Sequence, residues 1–403
     1  MPNRFYPRPK PTEAVPWLGG LSPKQFMARY WQKKPLLVRN AFPDFEPAVS
    51  IDEVLALCTQ DTLQSRLIQS APKGRSRHGG NWSLAHGPFR KRDLPKISDP
   101  NWTVLVQQVN TLLPAADRFL DAFRFIPEAR LDDLMVSVAG PGGGIGAHTD
   151  SYDVFLIQAR GQRRWEIAQR FAPALMDDLP LKILKSFRAE QEWCLNPGDL
   201  LYLPPQVAHR GTAMSAACMT WSIGFRAPGR VALADQAWSQ HLDQLQESDW
   251  RDPWLKASDR PGEIPEQLLV ALTRQVLQTF PDRKALRSAI ARVLSEPAPS
   301  AVFAAPRPAP TLRGFLSAAK RYGIALSPAS RLLYIDQAFY MNGEMVSVSM
   351  TMSVSTALRE LANHRRLSAA HVKRVIQSAP LADCLLQMAR AGWIVYHWPV
   401  SRE

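Results

Sequence analysis

GPGGGIGAHTDSYDVFLIQARG, residues 140–161, carries the reading that decides the fold. A glycine-rich approach delivers His148 and Asp150, two positions apart, and an apolar run from Val154 to Ile157 follows. Residues two apart on an extended chain project to the same side. The spacing therefore predicts a strand that presents an imidazole and a carboxylate together. Downstream, NPGDLLYLPPQVAHRG, residues 196–211, reads as a turn at Asn196 to Asp199, a short strand, a double-proline turn and then His209. A lone His-x-Asp arises by chance and usually marks surface or capping residues. Here the glycine-rich approach, the following strand and the proline-flanked His209 give it weight. Two imidazoles and one carboxylate suit a non-haem Fe(II) that must keep positions open for co-substrate and dioxygen, although affinity alone does not select iron among the divalent metals.

Working outward, residues 134–225 alternate short runs of Val, Ile, Leu, Phe and Trp with clusters of Gly, Pro and Asp, the rhythm of a β-sandwich or barrel. Before them, SPKQFMARYW (22–31) and SIDEVLALCTQ (50–60) begin at serines placed to cap helices and carry helical apolar spacing. The β core is expected to be wrapped by helices. Behind it, ALADQAWSQHLDQLQ (232–246), IPEQLLVALTRQVLQTF (264–280) and DRKALRSAIARVLSE (282–296) are helical in pattern. EPAPSAVFAAPRPAPT (296–311) reads as a semi-rigid linker. The remainder combines helical segments with the alternating RLLYIDQAFYMNG (331–343) and a final strand GWIVYHW (392–398), which suggests a winged helix. The expected division is 1–228 for the β-barrel unit, 229–296 helical, 297–311 linker and 312–403 winged-helix-like.

Nearly half of the 403 residues are apolar and 21% are charged, which excludes a disordered chain and leaves room for two or three domains. The formal charge of +13 is compatible with nucleic acid or acidic surfaces as neighbours, and equally with a basic surface that aids solubility. The segments KGRSRH (73–78), FRKR (89–92) and HRRLSAAHVKRV (364–375) are the densest basic clusters. The first residues lack the apolar stretch of a secretory signal, and no apolar run reaches the roughly 18 residues that span a bilayer. A cytoplasmic protein without a membrane partner is expected. Cys58, Cys194, Cys218 and Cys384 are widely separated, which argues against disulfides or a zinc knuckle and for small core hydrophobes.

QRRWEIA, residues 162–168, places Arg163, Trp165 and Ile167 on one face of a strand and Arg164 and Glu166 on the other. Arg163 thus points to the apolar side, where it needs an anion, because an unpaired buried guanidinium is costly. An internal Asp or Glu would serve as well as a ligand. CMTWSIGF, residues 218–225, alternates Cys218, Thr220, Ser222 and Gly224 with Met219, Trp221, Ile223 and Phe225; the bulky set should pack and the small set should face a cavity.

Gly142 followed after five intervening residues by His148-x-Asp150, and Gly198 followed by Pro204 and His209, resemble the two cupin motifs. One departure is Gln206, where that motif usually has glycine; a turn needing positive φ would fit Gln less well. FMARYWQKKPLLVRNAF (26–42), NWSLAHGPF (81–89), NWTVLVQQVN (101–110), the stretch 132–167, PGDLLYLPP (197–205) and SIGFRAP (222–228) together resemble the JmjC-type ribosomal oxygenases, especially the bacterial ribosomal protein arginine hydroxylases. The resemblance implies an α+β chain: a double-stranded β-helix (cupin/JmjC) barrel wrapped by helices, a helical dimerisation region and a C-terminal winged helix. It implies an Fe(II)- and 2-oxoglutarate-dependent dioxygenase, with metal ligands His148, Asp150 and His209, Arg163 on the distal carboxylate of 2-oxoglutarate, and Thr220 and Ser222 as further co-substrate contacts. The implied substrate is an arginine side chain of a large-subunit ribosomal protein. A cation there would want carboxylates or aromatic rings near the metal, which makes Tyr152 and Asp153 candidates. A homodimer is implied, and ribosomal RNA is a conceivable further contact. Histidyl or lysyl hydroxylases and demethylases of the same superfamily are the nearer alternative; a non-catalytic ribosome-binding cupin protein is the distant one.

Overall fold

In the computed structural model, which describes residues 6–70, 82–226, 229–257 and 260–395, Ser22 and Ser50 cap helices as their placement predicts. They open α1 (Pro23–Arg29) and α2 (Ile51–Leu57) with capping boxes: each serine hydroxyl accepts the N–H three residues on, and the side chain there, Gln25 or Glu53, accepts the serine N–H. Strands β1 (Leu36–Val38), β2 (Ser65–Ser70), β3 (Trp82–His86), β4 (Trp102–Val106), β5 (Leu131–Ala139), β6 (Asp153–Arg160), β7 (Arg163–Ala168), β8 (Gln191–Leu195), β9 (Leu200–Leu203), β10 (Ala208–Ala213) and β11 (Cys218–Phe225) make two antiparallel sheets. The larger runs β1-β9-β6-β11-β5-β4-β2-β3 and the smaller β10-β7-β8. Short helices α3 (Val109–Leu112) and α4 (Pro114–Phe119) lie between β4 and β5.

The alternation along β11 sorts its side chains as the sequence requires. Met219, Trp221, Ile223 and Phe225 enter the main apolar core with Phe26, Phe42, Val54 and Phe123 from the wrapping segments. Thr220, Ser222 and Gly224 turn to the opposite side and line a cavity. That cavity lies between the sheets, where Val154, Leu156, Leu201 and Leu203 of the large sheet meet Trp165, Ile167 and Leu195 of the small one. Val154, Leu156 and Trp165 belong to this packing and also line the cavity, so its wall is part apolar and part polar.

Three helices follow, α5 (Arg230–Leu242), α6 (Glu266–Gln278) and α7 (Arg283–Ser295), at the places the periodicity predicts. α6 has apolar residues at helical spacing yet buries none of them. Beyond the Pro/Ala-rich stretch come α8 (Leu312–Tyr322), α9 (Met352–His364), α10 (Ala369–Val375) and α11 (Ala379–Arg390), with two three-stranded sheets. One contains β12 (Ile324–Leu326), the other the hairpin β13 (Leu332–Ile335), β14 (Ala338–Met341) and β15 (Glu344–Met345); β16 (Arg366–Leu367) and β17 (Ile394–Val395) flank β12. Phe315, Leu358, Leu361 and Leu385 centre a separate core. The fold is the expected helix-wrapped cupin barrel with a C-terminal winged helix. No helix among the described residues is long and apolar enough to cross a membrane. KGRSRH, Asn81 of NWSLAHGPF, the last two residues of SIGFRAP and the last three of GWIVYHW lie outside the described residues.

The cysteine expectation needs one correction. Cys58 and Cys218 are buried and Cys384 half-buried, but Cys194 is exposed, because on β8 it pairs with Arg164 on the outward face of the small sheet, while Leu195, paired with Arg163, points inward and is buried.

Candidate active site

His148 and His209 bridge each other through their backbones: the His148 N–H donates to the His209 carbonyl at 3.0 Å and the His209 N–H to the His148 carbonyl at 2.9 Å. This corrects the expected strand. His148 occupies a one-residue bridge and Asp150 lies in the connection before β6. The connection is tied to the double-proline turn instead, since the Gln206 N–H donates to the Asp150 carbonyl at 2.8 Å. The side chains still converge. His148 Nε2 lies 4.0 Å from one Asp150 oxygen and His209 Nε2 3.6 Å from the other, and one ligand atom from each residue lies within 4.8 Å of the other two.

The tautomers follow from the second nitrogens. His148 Nδ1 is 3.0 Å from the Gly146 carbonyl and His209 Nδ1 2.9 Å from the Val207 carbonyl. A carbonyl only accepts, so both Nδ1 atoms carry the proton and both Nε2 lone pairs face the Asp150 carboxylate. Burial, and then the neighbouring His148, lower the pKa of His209 to about 4, which keeps it neutral, the form that ligates a metal. This donor set fits a divalent first-row cation.

Gln206 has φ 63°, so the turn that delivers His209 does require the left-handed conformation. A non-glycine residue there is strained by about 1 kcal/mol. Gln206→Gly should raise thermal stability by roughly 0.5–1 kcal/mol, part of the relief being offset by the more flexible unfolded chain. Calorimetric melting of the two proteins measures this; a lower melting temperature for the variant would contradict it.

Arg163 is 3% exposed and reaches the same cavity from β7. Its Nε and Nη2 atoms are buried without a hydrogen-bond partner, and its guanidinium carbon is 5.8 Å from the Trp165 ring centre. On the outer face of the same strand Glu166 is paired by contrast: Arg210 of β10 donates to both of its oxygens at 2.7 and 2.5 Å. An aimed, unpartnered guanidinium calls for an anion from outside the chain. The cavity, of about 250 Å3, is lined by His148, Asp150, His209, Arg163, Thr220 and Ser222 together.

Within the cavity wall the Thr220 hydroxyl donates to Gln158 Oε1 at 3.0 Å, which leaves its oxygen lone pairs as acceptors. Ser222, two residues on and on the same strand face, lines the same wall. Tyr152 also borders the cavity. Asp153 does not, which overturns its candidacy for substrate contact. Its carboxylate is fully buried behind the sheet, accepting from the Tyr202 hydroxyl at 2.6 Å and Gln32 Nε2 at 2.9 Å, with Arg130 at 3.4 Å. Asp153 shares the parity of Phe155 and Ile157, both in the helix-side core.

Two acidic residues that the sequence reading passed over stand at the cavity: Asp132 and Asp133, at the start of β5. Asp133 shares its face with Met135 and Ser137, which also line the wall. Its carboxylate accepts the Gln108 N–H at 2.8 Å. Burial, and then the neighbouring Asp132, push its pKa up to about 7.

A family model described as a JmjC domain matches residues 118–233, and one described as a ROXA-like winged helix matches residues 275–394. The ribosomal protein uL16 3-hydroxylase of Escherichia coli (strain K12) is 29% identical over 371 residues, 91% of this chain and 96% of that protein. The X-ray structure of E. coli ycfD superposes with a TM-score of 0.80 at 28% identity, covering 93% of this chain and 98% of that one. The chain belongs to the JmjC-type ribosomal oxygenases. A structure of the E. coli ribosomal oxygenase in complex with cobalt and 2-oxoglutarate superposes over the same share of each chain, with a TM-score of 0.77 at 28% identity. Together with the His/Asp/His donor set, these likenesses make this ribosomal oxygenase a 2-oxoglutarate-dependent enzyme of the Fe(II) class.

Proposed function

We propose that this oxygenase hydroxylates an arginine side chain of a large-subunit ribosomal protein, with uL16 the first candidate. The observation that carries the reading is the joint lining of one cavity: a three-ligand set, a guanidinium unpartnered among the described residues and, beside them, the half-buried Asp133. His148, Asp150 and His209 would hold the iron, and Arg163 the distal carboxylate of 2-oxoglutarate, with the hydroxyls of Thr220 and Ser222 as further contacts. Bound there with its co-substrates, the iron would supply insertion of one oxygen of O2 into an unactivated C–H bond, the other oxygen leaving in succinate as 2-oxoglutarate loses CO2. The protein's own part is to orient and to exclude water. Leu156 and Trp165 make the inner wall apolar, and an incoming guanidinium would meet the Asp133 carboxylate as a two-point acceptor and the Tyr152 ring as a π face.

The relative's name, a uL16 3-hydroxylase, supports the choice of substrate. The test is turnover by the iron-loaded full-length protein with overlapping uL16 peptides, each in an arginine and a lysine version. Peptide-stimulated succinate release, with a single-oxygen increment on one arginine and none on its lysine counterpart, is the expected result. An oxygen on histidine or lysine would transfer the enzyme to the histidyl or lysyl class.

Asp133 also sets a pH dependence. Because its pKa in the folded protein is raised from 3.8 to about 7, the carboxylate is mostly protonated below neutrality and cannot pair with a cation. kcat/KM for an arginine peptide should fall about tenfold per pH unit below that value, and Asp133→Asn should lower kcat/KM above neutrality and flatten the limb. The stability sign is opposite to that of a paired carboxylate: folding disfavours the ionised form, so stability is lost as pH rises from 3.8 through 7. Asp133→Asn should therefore melt higher than the parent above neutrality. A pH profile unaltered by the substitution would contradict the assignment.

The reading extends to assembly. Residues 1–228 serve as the catalytic unit, 229–296 as a dimerisation region, 297–311 as a linker and 312–403 as the winged helix. The exposed Leu269, Val270, Val276, Leu277 and Phe280 around α6 support a homodimer, since contiguous apolar helix faces of this kind mark interaction surfaces. Exposed Arg90, Lys91 and Arg92 support contact with ribosomal RNA, and a ribosomal substrate places the enzyme in the cytoplasm.

A further inference from the structure

We infer that Arg331, in the winged-helix domain, is a positioning residue for the acidic mouth of the active site, so that the C-terminal domain sets the affinity for the cationic substrate. The inference rests on the reading of Asp133 as the carboxylate that receives that cation.

The start of β5 is short of support from its own sheet. Its pairing with β4 begins only at Val136, and residues 131–135 have β11 alone as a strand neighbour. Arg331 supplies what is missing from 200 positions away: its Nη1 donates to the Leu131 carbonyl at 2.6 Å and the Glu128 carbonyl at 3.3 Å, and its Nη2 to the Asp132 carbonyl at 3.0 Å. Asp133 is the next residue. The residue's main chain is fixed in the winged helix, where the backbone N–H of Arg331 donates to Asn342 Oδ1 at 2.8 Å. It is 7% exposed, and the Asp132 carboxylate is 3.9 Å away, so its satisfaction comes chiefly from backbone carbonyls in a planar, forked geometry that lysine cannot reproduce.

Docking of the two domains does not depend on this contact alone. Arg365 reaches Glu128 at 2.9 Å and Arg366 reaches Asp121 at 3.3 Å, both away from the cavity lining. The Asn110 side chain accepts the Leu134 N–H at 2.9 Å and Arg226 reaches the Asp132 carboxylate at 3.0 Å; Arg331 is the winged-helix side chain that grips the backbone of the strand from which Asp133 projects into the cavity. A shift of that strand start would displace the receiving carboxylate while leaving the metal ligands and Arg163, on other elements, in place.

The experiment compares full-length Arg331→Lys, Asp133→Asn, their double variant and Arg366→Gln, in KM for an arginine peptide, KM for 2-oxoglutarate and peptide-independent succinate release. Arg331→Lys should raise the peptide KM about tenfold, the scale of one lost charge-assisted hydrogen bond. The 2-oxoglutarate KM and basal succinate release should stay at the parent values, and the double variant should be no worse than Asp133→Asn, since the two act as one unit. Arg366→Gln, which loosens the same junction at its surface, should leave the peptide KM unchanged. If Arg331→Lys leaves the peptide KM unchanged, changes it no more than Arg366→Gln, or raises both KM values together, the inference is wrong and Arg331 is a structural link. If Asp133→Asn itself leaves the peptide KM unchanged, the reading of Asp133 fails and the inference with it.

Discussion

Replacing Asp150 with alanine is expected to lower hydroxylation by at least about 1000-fold, because loss of a supporting contact around a metal already costs 10–100-fold and loss of one of three ligands costs more. The fold should survive. The Asp150 contacts that hold the connection run through its carbonyl, which accepts the Gln206 N–H, and that bond is independent of the side chain. Among the described residues the carboxylate faces the two Nε2 atoms, at 4.0 and 3.6 Å. The variant should melt as the parent does in the presence of chelator and lose the stabilisation that Fe(II) gives the parent, as expected for a ligand that binds only the folded state. Metal content by elemental analysis and melting with and without iron measure both. An iron-loaded, active Asp150→Ala protein would remove the proposed ligand set. His148→Ala should behave alike, with the further loss of the Nδ1–H bond to the Gly146 carbonyl.

Arg163→Met is expected to have two opposite effects. Its Nε and Nη2 atoms are buried without partners, so the ligand-free protein keeps a guanidinium whose burial is only weakly compensated by the Trp165 face. Methionine of similar length should therefore stabilise the ligand-free protein by roughly 1–3 kcal/mol. The same change removes the proposed partner of the distal carboxylate. Two charge-assisted hydrogen bonds at about 1.5 kcal/mol each correspond to roughly a 100-fold rise in KM for 2-oxoglutarate. Arg163→Lys should fall between, keeping the charge and losing the fork. Melting curves with and without 2-oxoglutarate separate the two effects. A variant with lower stability and unchanged KM would make Arg163 a structural cation.

Much of this site is legible from strand parity. Arg163 was placed inward because it alternates with Arg164 and Glu166, and the structure puts it there. The same rule applied to β6 sorts Asp153 with Phe155 and Ile157 on the core side, while Tyr152, in the connection just before the strand, borders the cavity. A carboxylate beside a metal motif draws attention by its chemistry, and parity outweighs it. Asp133 escaped for the converse reason. A pair of aspartates at the start of an apolar strand looks like solvated punctuation, and only the tertiary fold shows that the second one projects into the cavity wall with Met135 and Ser137.

What local pattern could not supply is long-range closure. The mutual backbone bridge of His148 and His209 joins two segments that each read as a plausible strand end, and it replaces the strand expected at Asp150. The Gln206 turn was legible as a question, since its φ of 63° is what the missing glycine would have accommodated. The grip of Arg331 on β5 joins residues from different domains and leaves no periodic trace in either. Cys194 is the small counterpart: hydrophobic by type, it is exposed because it shares the outward face of the small sheet with Arg164.

The most direct test of the central claim is peptide mass spectrometry of ribosomal proteins purified from host cells with the gene intact, deleted, and restored as either the parent or His148→Ala. The account predicts a single-oxygen increment on one arginine of a large-subunit protein, present with the intact or restored parent gene and absent with the deletion or His148→Ala. Ribosomal proteins of identical mass in all four strains would contradict it.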